Sequence, residues 1–179
     1  MSWRPMTPQD LCQVQTLADA IHVSHPEDPE VLAERQRLYP QGCFMLVEDE
    51  RAIGYALTHP WRFAEPPPLN RLLGAIPPSA TTYYIHDVAL LPEARGKGYA
   101  ARITDRLLAH AREAGFDNLS LVAVNKSQVF WEKAGFRVVA VPGLGAKLAS
   151  YGPDAALMVR DLANLGTTPN GVTSAMKKF

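Results

Sequence analysis

The residues best suited to do chemistry lie within one short stretch. Arg95-Gly96-Lys97-Gly98-Tyr99-Ala100 sets two basic side chains among small ones directly before an amphipathic run, and Arg102 follows one turn later. Such a turn offers an anion backbone N–H groups and the positive end of a helix dipole, and the basic side chains add charge for a ligand carrying several phosphates. Upstream, His86 lies in an apolar run with Tyr84 two residues before it. An imidazole titrates near neutral pH and suits proton transfer, and on an alternating strand Tyr84 shares its face while Asp87 points to the opposite one. A hydrogen-bonded core histidine is the alternative reading of His86.

Three readings compete for the glycine turn. Gly96-Lys97-Gly98-Tyr99-Ala100-Ala101 fits a dinucleotide-type G-x-G-x-x-G/A pattern, but the acidic residue expected about 20 positions on is missing. A nucleoside-triphosphate loop is excluded by spacing, since no glycine stands at the required distance before a Gly-Lys-Ser/Thr. The third reading is a tight strand-to-helix connection with no ligand.

The elements that must position these groups follow from periodicity. Tyr83 to Leu91 has the aromatic and branched apolar composition of a buried strand, stopped by Pro92. From Gly98 the apolar residues Ala100, Ile103, Leu107, Leu108, Ala111 and Ala114 fall on one helical face, and Gly115 ends the helix. Asn118 to Val124, almost continuously apolar, reads as a strand covered on both faces. A crossover helix between two apolar strands predicts an α/β fold with a mixed sheet and a parallel pair at its centre.

At this point the chain resembles the GNAT N-acetyltransferase superfamily. The superfamily's coenzyme A signature, Arg or Gln, two residues, Gly, one residue, then Gly or Ala, is similar to Arg95, Gly98 and Ala100. Its preceding strand ends in a run like Val88-Ala89-Leu90-Leu91-Pro92. A second block resembles Asn125-Lys126-Ser127 and Phe130-Trp131-Glu132-Lys133-Ala134-Gly135-Phe136, and the resemblance spans residues 3 to 160.

The resemblance implies the acyl-CoA N-acyltransferase fold, a mixed central sheet whose parallel strands splay between flanking helices. It implies acetyl-coenzyme A as cosubstrate and no metal. Backbone N–H of Val88, Ala89 and Leu90 would polarise the thioester carbonyl. Gly96, Lys97, Gly98, Tyr99, Ala100 and Ala101, with Arg95, would hold the pyrophosphate, Asn125 would face the pantetheine arm, and Ser127 and Trp131 would be further cofactor contacts. An amine must lose a proton before it attacks, and the strand bearing His86 is similar to that of arylalkylamine N-acetyltransferases, where histidines relay that proton; Tyr84 falls where a second histidine is common. Trp131 departs from the family's tyrosine, leaving Tyr99, Tyr151 or water to protonate the departing thiolate, unless the thiolate leaves unassisted.

The remaining chain supplies the acceptor side. Ser2 to Met6 reads as a strand, and Thr7-Pro8-Gln9-Asp10 as a capping box opening a helix with Leu11, Val14, Leu17, Ala18 and Ile21 on its apolar face. His22 to Pro29 interrupts it, and Glu30 to Leu38 forms a second helix. The resemblance places acceptor contacts there, at His25, Glu27 and Asp28, and a solvated polar turn is the alternative. Cys43 to Glu48 and Ala52 to His59 form a hairpin. From Pro60 to Ser79 six prolines accompany Trp61 and Phe63, so this long loop reads as a wall or lid, with those two aromatics as substrate contacts. Asn125 or Ser127 caps a helix ending at Gly135; Phe136 to Val141 and Ala155 to Arg160 are strands, joined by a loop from Pro142 to Gly152.

A chain of 179 residues with zero formal net charge suits one domain and has no general attraction for nucleic acid or an anionic membrane. Cys12 and Cys43 are too isolated for a disulfide framework or metal site. No apolar run is long enough to span a bilayer, and the first ten residues lack a signal-peptide core, so the cytoplasm is expected. The expectation is one acetyltransferase domain over residues 1–162 and a loosely ordered tail over 163–179, acting as a monomer or homodimer. The expected reaction is acetyl transfer to a small primary amine, an arylalkylamine or polyamine. The alternatives are acylation of a peptide or protein amine, and a coenzyme A-binding module without turnover.

Overall fold

The computed structural model describes residues 2–162, so the expected tail lies outside the described residues. The elements are β1 (Ser2–Pro5), α1 (Leu11–Ile21), α2 (Pro29–Leu38), β2 (Cys43–Glu48), β3 (Arg51–Trp61), β4 (Thr82–Leu90), α3 (Tyr99–Glu113), β5 (Asn118–Ala123), α4 (Gln128–Lys133), β6 (Arg137–Val138), α5 (Gly145–Ala149) and β7 (Ala156–Asp161). Seven strands form one mixed sheet in the order β1-β2-β3-β4-β5-β7-β6, antiparallel throughout except for β4 and β5.

Helices cover both faces because the strands are apolar on both. Ile103, Leu107, Leu108 and Ala111 of α3 pack with Tyr83, Ile85, Leu119 and Leu121 of the central strands. On the other face Val14, Leu17 and Ala18 of α1 and Leu32 of α2 pack with Met45, Tyr55, Leu57 and Ala89. Each such fully buried side chain stabilises the fold by about 1.5–3 kcal/mol, which fixes the register of both layers. The turn before α1 is a short 3-10 segment, Pro8–Asp10, where the Asp10 carboxylate accepts from the Thr7 backbone N–H at 2.7 Å and from Arg4 at 2.6 Å.

Two features of the sheet set up a site. The parallel β4–β5 ladder contains only Tyr83↔Leu119 and Tyr84↔Ser120, after which β4 continues to Leu90 and β5 to Ala123 without pairing. The strands therefore splay at their C-terminal ends, opening a cleft beside the turn into α3. Against β3, β4 pairs Leu57↔Asp87 and then Thr58↔Ile85, so His86 is the extra residue of a β-bulge.

Some elements differ from their sequence reading. β3 runs through Pro60 to Trp61; β2 ends opposite Leu57, so Pro60 has no neighbour on that side and its missing N–H costs no ladder bond. The expected strand from Phe136 to Val141 is reduced to β6, since only Arg137 and Val138 find a partner in β7. The expected loop from Pro142 to Gly152 contains α5.

Candidate active site

The bulge resets the side-chain alternation of β4, and this builds the site. His86 and Asp87, consecutive in sequence, both reach the segment that joins α1 to α2. His86 Nε2 lies 3.0 Å from Glu27 Oε2, and His22 Nε2 lies 2.7 Å from Asp87 Oδ2. The Tyr55 hydroxyl donates to the same Asp87 oxygen at 2.5 Å. Asp87 thus belongs to the cluster rather than to the opposite face, a correction to simple alternation caused by the extra residue.

Electrostatics fixes the protonation of the pairs. Burial alone would raise Glu27, but the charge and hydrogen bond of His86, with Arg35 beyond, bring it down to about 2. An ionised carboxylate only accepts, so His86 Nε2 carries a hydrogen in either ionisation state of the ring, and once the imidazolium gives up its other proton the lone pair sits on Nδ1. Burial pulls His22 down, yet the Asp87 charge and hydrogen bond outweigh it and leave His22 raised. Burial, with the Asp87 charge added, pushes the Tyr55 hydroxyl well up, so it stays a donor.

A further histidine faces the cluster from β3. His59 pairs with Tyr84 in register and is fully buried, its ring centroid 5.7 Å from Tyr84 and 6.1 Å from His86. Its Nδ1 lies 3.0 Å from the Pro60 carbonyl, which only accepts, so Nδ1 carries the hydrogen and Nε2 is a bare acceptor. Burial, followed by the nearby His86 charge, lowers His59 to about 3. Nε2 finds no protein partner among the described residues.

The long loop between β3 and β4 is strapped over this side. Arg35, fully buried on α2, pairs with Glu34 at 2.8 Å and donates to the Arg71 carbonyl at 2.8 Å. Glu34 in turn accepts the N–H groups of Leu73 at 2.6 Å and Gly74 at 3.0 Å. Asp28 and Asn70 exchange two hydrogen bonds, and Trp61 Nε1 donates to the Glu65 carbonyl at 2.7 Å. From the C-terminal side, the Tyr84 and Tyr151 hydroxyls are bonded to each other, and Tyr151 donates to the Pro67 carbonyl. Burial raises both tyrosines, Tyr84 further, so both are poor acids at neutral pH.

At the end of β4 the backbone forms an anion cradle. Gly96 and Gly98 take φ +74° and +78°, and a Cβ at either position would meet nothing within 4 Å, so the concave side of the turn is open. Gly98 caps α3, whose first-turn N–H groups have no acceptor within the helix. Arg95, Gly96, Lys97 and Gly98 are exposed, and Arg95 Nε is held 3.1 Å from the Leu90 carbonyl. Tyr99 is buried, its carbonyl accepting the Trp3 indole N–H at 3.0 Å, which ties the helix start to β1. These are the features that the phosphates of a coenzyme A thioester require, and the residues present fit that group.

The structure groups the remaining expected residues as follows. Val88, Ala89 and Leu90 line the free end of β4, and Ala100 and Ala101 the first turn of α3. Asn125, at φ +53°, and Ser127 follow β5, but neither side chain caps α4; Ser127 Oγ instead accepts the Val124 N–H at 3.2 Å. Trp131 is buried among Phe130 and Phe136 as part of the core. Trp61 packs its ring against His59, and Phe63 is half-buried with its N–H bonded to Thr81. His25 is exposed; the histidine of that segment that enters the cluster is His22. Sequence reasoning missed His22, His59 and Arg35. The strand pattern Tyr55, Leu57, His59 carried a signal, because it puts a histidine on the face that α1 and α2 cover. Among the described residues, no group of three or more potential metal ligands converges, and no helix is long and apolar enough to cross a membrane.

A mixed sheet with a splayed parallel pair, a glycine turn opening a helix at the cleft and a bulged strand carrying a histidine define an acyltransferase-type architecture. The sequence profile described as the acetyltransferase (GNAT) family matches residues 10–136, and this chain belongs to that family. Among solved structures, the chain is similar to the loading GNATL domain of CurA from Lyngbya majuscula, with a TM-score of 0.75, 16% identity, and 90% of this chain and 97% of that one covered. It is also similar to the GphF GNAT-like decarboxylase in complex with isobutyryl-CoA, with a TM-score of 0.73, 17% identity, and coverage of 90% and 100%. A third is Naa20 from Chaetomium thermophilum in complex with a bisubstrate analogue, with a TM-score of 0.68, 18% identity, and coverage of 90% and 87%. No curated protein sequence matches the chain.

Proposed function

We propose that this chain transfers the acetyl group of acetyl-coenzyme A to a small primary amine, in the manner of arylalkylamine N-acetyltransferases. The observation that carries the reading is His86 on the bulge, its Nε2–H held by Glu27 so that the Nδ1 lone pair is available as a base. The open turn from Gly96 to Ala101, with Arg95 and Lys97, holds the pyrophosphate. Backbone N–H of the free end of β4, at Val88 to Leu90, polarises the thioester carbonyl. The amine attacks that carbonyl directly, its surplus proton passes to His86, and the coenzyme leaves as a thiolate. Complexes of related folds with isobutyryl-CoA and a bisubstrate analogue support the choice of an acyl-CoA donor.

The strapped loop favours a small acceptor over a peptide. Arg35, Glu34 and Tyr151 fasten it through buried or half-buried bonds and Asn70 through an exposed one, which narrows the acceptor side where a protein substrate needs an open groove. Tyr84, its hydroxyl engaged with Tyr151, acts as a positioning residue. Trp131 belongs to the core, so water or an unassisted departure serves the thiolate, already a fair leaving group with an ordinary thiol pKa of about 8.5.

The test is thiol release from acetyl-coenzyme A across arylalkylamines, polyamines and short peptides, for wild type and His86→Gln. The expected result is turnover of small amines that falls about 100-fold in the variant, within the usual range for a lost general base. Coenzyme binding without release on any acceptor overturns the reading and leaves a binding module; release on peptides alone makes the chain a peptide acetyltransferase.

A further inference from the structure

We propose that His59 Nε2 accepts the second N–H of the attacking amine, so that the site selects primary over secondary amines; this rests on the amine-acetylation reading above. The chain offers an acceptor lone pair, with a fixed direction, beside the base. The Pro60 carbonyl holds Nδ1–H at 3.0 Å, so Nε2 points away from its own backbone and carries no hydrogen. The strand register puts His59 on the same face as Tyr84, just beyond the bulge, with its ring 6.1 Å from His86.

A buried acceptor with no protein partner is a costly feature unless something satisfies it. Among the described residues, Nε2 is such an atom. The atom is closed off from bulk solvent, so a ligand reaches it only by parting the ring contact with His86, whose side chain keeps 10% of its surface exposed. Because His59 stays neutral, it takes no proton from the reaction and serves only as an acceptor.

The bookkeeping of a primary amine suits two imidazoles. Neutral R–NH2 has one lone pair and two N–H bonds. The lone pair forms the C–N bond at the thioester carbonyl, and the C–S bond breaks with its electron pair leaving on sulfur. One amine proton passes to His86 Nδ1 and on to solvent, and the thiolate takes a proton from solvent. The other N–H remains in the amide product and is the one held by His59. A secondary amine has only the proton that His86 removes, and leaves His59 unsatisfied in the transition state.

The experiment compares the best primary amine of the panel with its N-methyl homologue, in wild type, His59→Leu and His59→Gln. Wild type is expected to prefer the primary amine in kcat/KM by roughly 10- to 100-fold, the cost of one buried acceptor left unpaired. His59→Leu keeps the bulk but not the acceptor, so its kcat/KM for the primary amine falls to about that for the homologue and the preference collapses. His59→Gln, which restores an acceptor, recovers part of it. A preference unchanged in His59→Leu assigns the discrimination to sterics and overturns the inference while leaving the amine-acetylation reading standing. If neither variant folds, wild type alone decides: equal kcat/KM for both amines overturns it. Absence of turnover with every primary amine is the separate failure of the function itself, and the inference falls with it.

Discussion

Glu27→Gln isolates the contribution of the carboxylate behind His86. Glu27 ionises at about 2 in the folded protein against an ordinary 4.5, and its side chain is 12% exposed. At about 1.4 kcal/mol per pKa unit this corresponds to an upper bound of about 3 kcal/mol of stabilisation from the ionised form. Because the folded value is depressed, that stabilisation is fully present above pH 4.5 and is lost as pH falls towards 2. The glutamine keeps a neutral hydrogen bond to His86, so the stability lost at pH 7 is about 1–2 kcal/mol, or about 2–8 °C in Tm. Urea unfolding should show a gap between wild type and variant that is constant from pH 7 to 5 and narrows below 4.5. In catalysis, exchanging a charge-assisted hydrogen bond for a neutral one weakens the imidazolium that forms in the transition state by about 1–2 kcal/mol, a roughly 5- to 30-fold loss in kcat/KM. A variant that loses stability but keeps kcat/KM within twofold of wild type would refute the reasoning, since Glu27 would then only pin its segment.

Four other outcomes follow from the same geometry. Arg35→Met leaves Glu34 and Glu27 without their buried partner and should cost about 3–5 kcal/mol, seen as a Tm lowered by about 6–20 °C and as faster proteolysis within residues 62–81. Gly98→Ala puts a Cβ into the open turn at φ +78°; a strain of about 1–2 kcal/mol in thermal unfolding should accompany at least tenfold weaker binding of coenzyme A by calorimetry, and unchanged binding would sink the cradle assignment. Asp87→Asn removes the partner that raises His22; a raised group stabilises below its ordinary pKa and loses that contribution as pH rises through the folded value, so the variant's deficit in urea unfolding should be larger at pH 5 than at pH 9. Because the carboxylates Glu27, Glu34 and Asp87 outnumber Arg35 and the raised His22 in the cluster, amines with a second positive charge should show a lower KM than those bearing a carboxylate, a preference that weakens with added salt.

What was legible in the sequence was local chemistry. The turn from Arg95 to Ala100 declares itself because glycine at positive φ, basic side chains and a following amphipathic period occur together within a few residues. The parallel pair followed from two apolar strands around a crossover helix. The site's second half was not legible, because it depends on tertiary placement. Nothing local marks the bulge at His86, and without it Asp87 is assigned to the wrong face. Pro60 reads as a break, yet it continues β3 where the neighbouring strand has ended. Arg35 sits on a helix whose sequence is polar, and its complete burial comes from a loop fastened over it from 36 residues away.

The bulge also explains why the connection between α1 and α2 is a defined structure rather than a solvated turn. A flat strand would present only one of two consecutive side chains to that connection. The extra residue presents both, so His86 holds Glu27 while Asp87 holds His22, and the segment is gripped near each end. Asp28 extends the grip to the long loop through Asn70, and Glu34 and Arg35 repeat it one turn further along α2. His86, Glu27 and the long loop are therefore parts of one network. A ligand that displaces Glu27 from His86 acts at the same time on the segment that encloses it, which links amine binding to the order of residues 22–28 and of the loop above them.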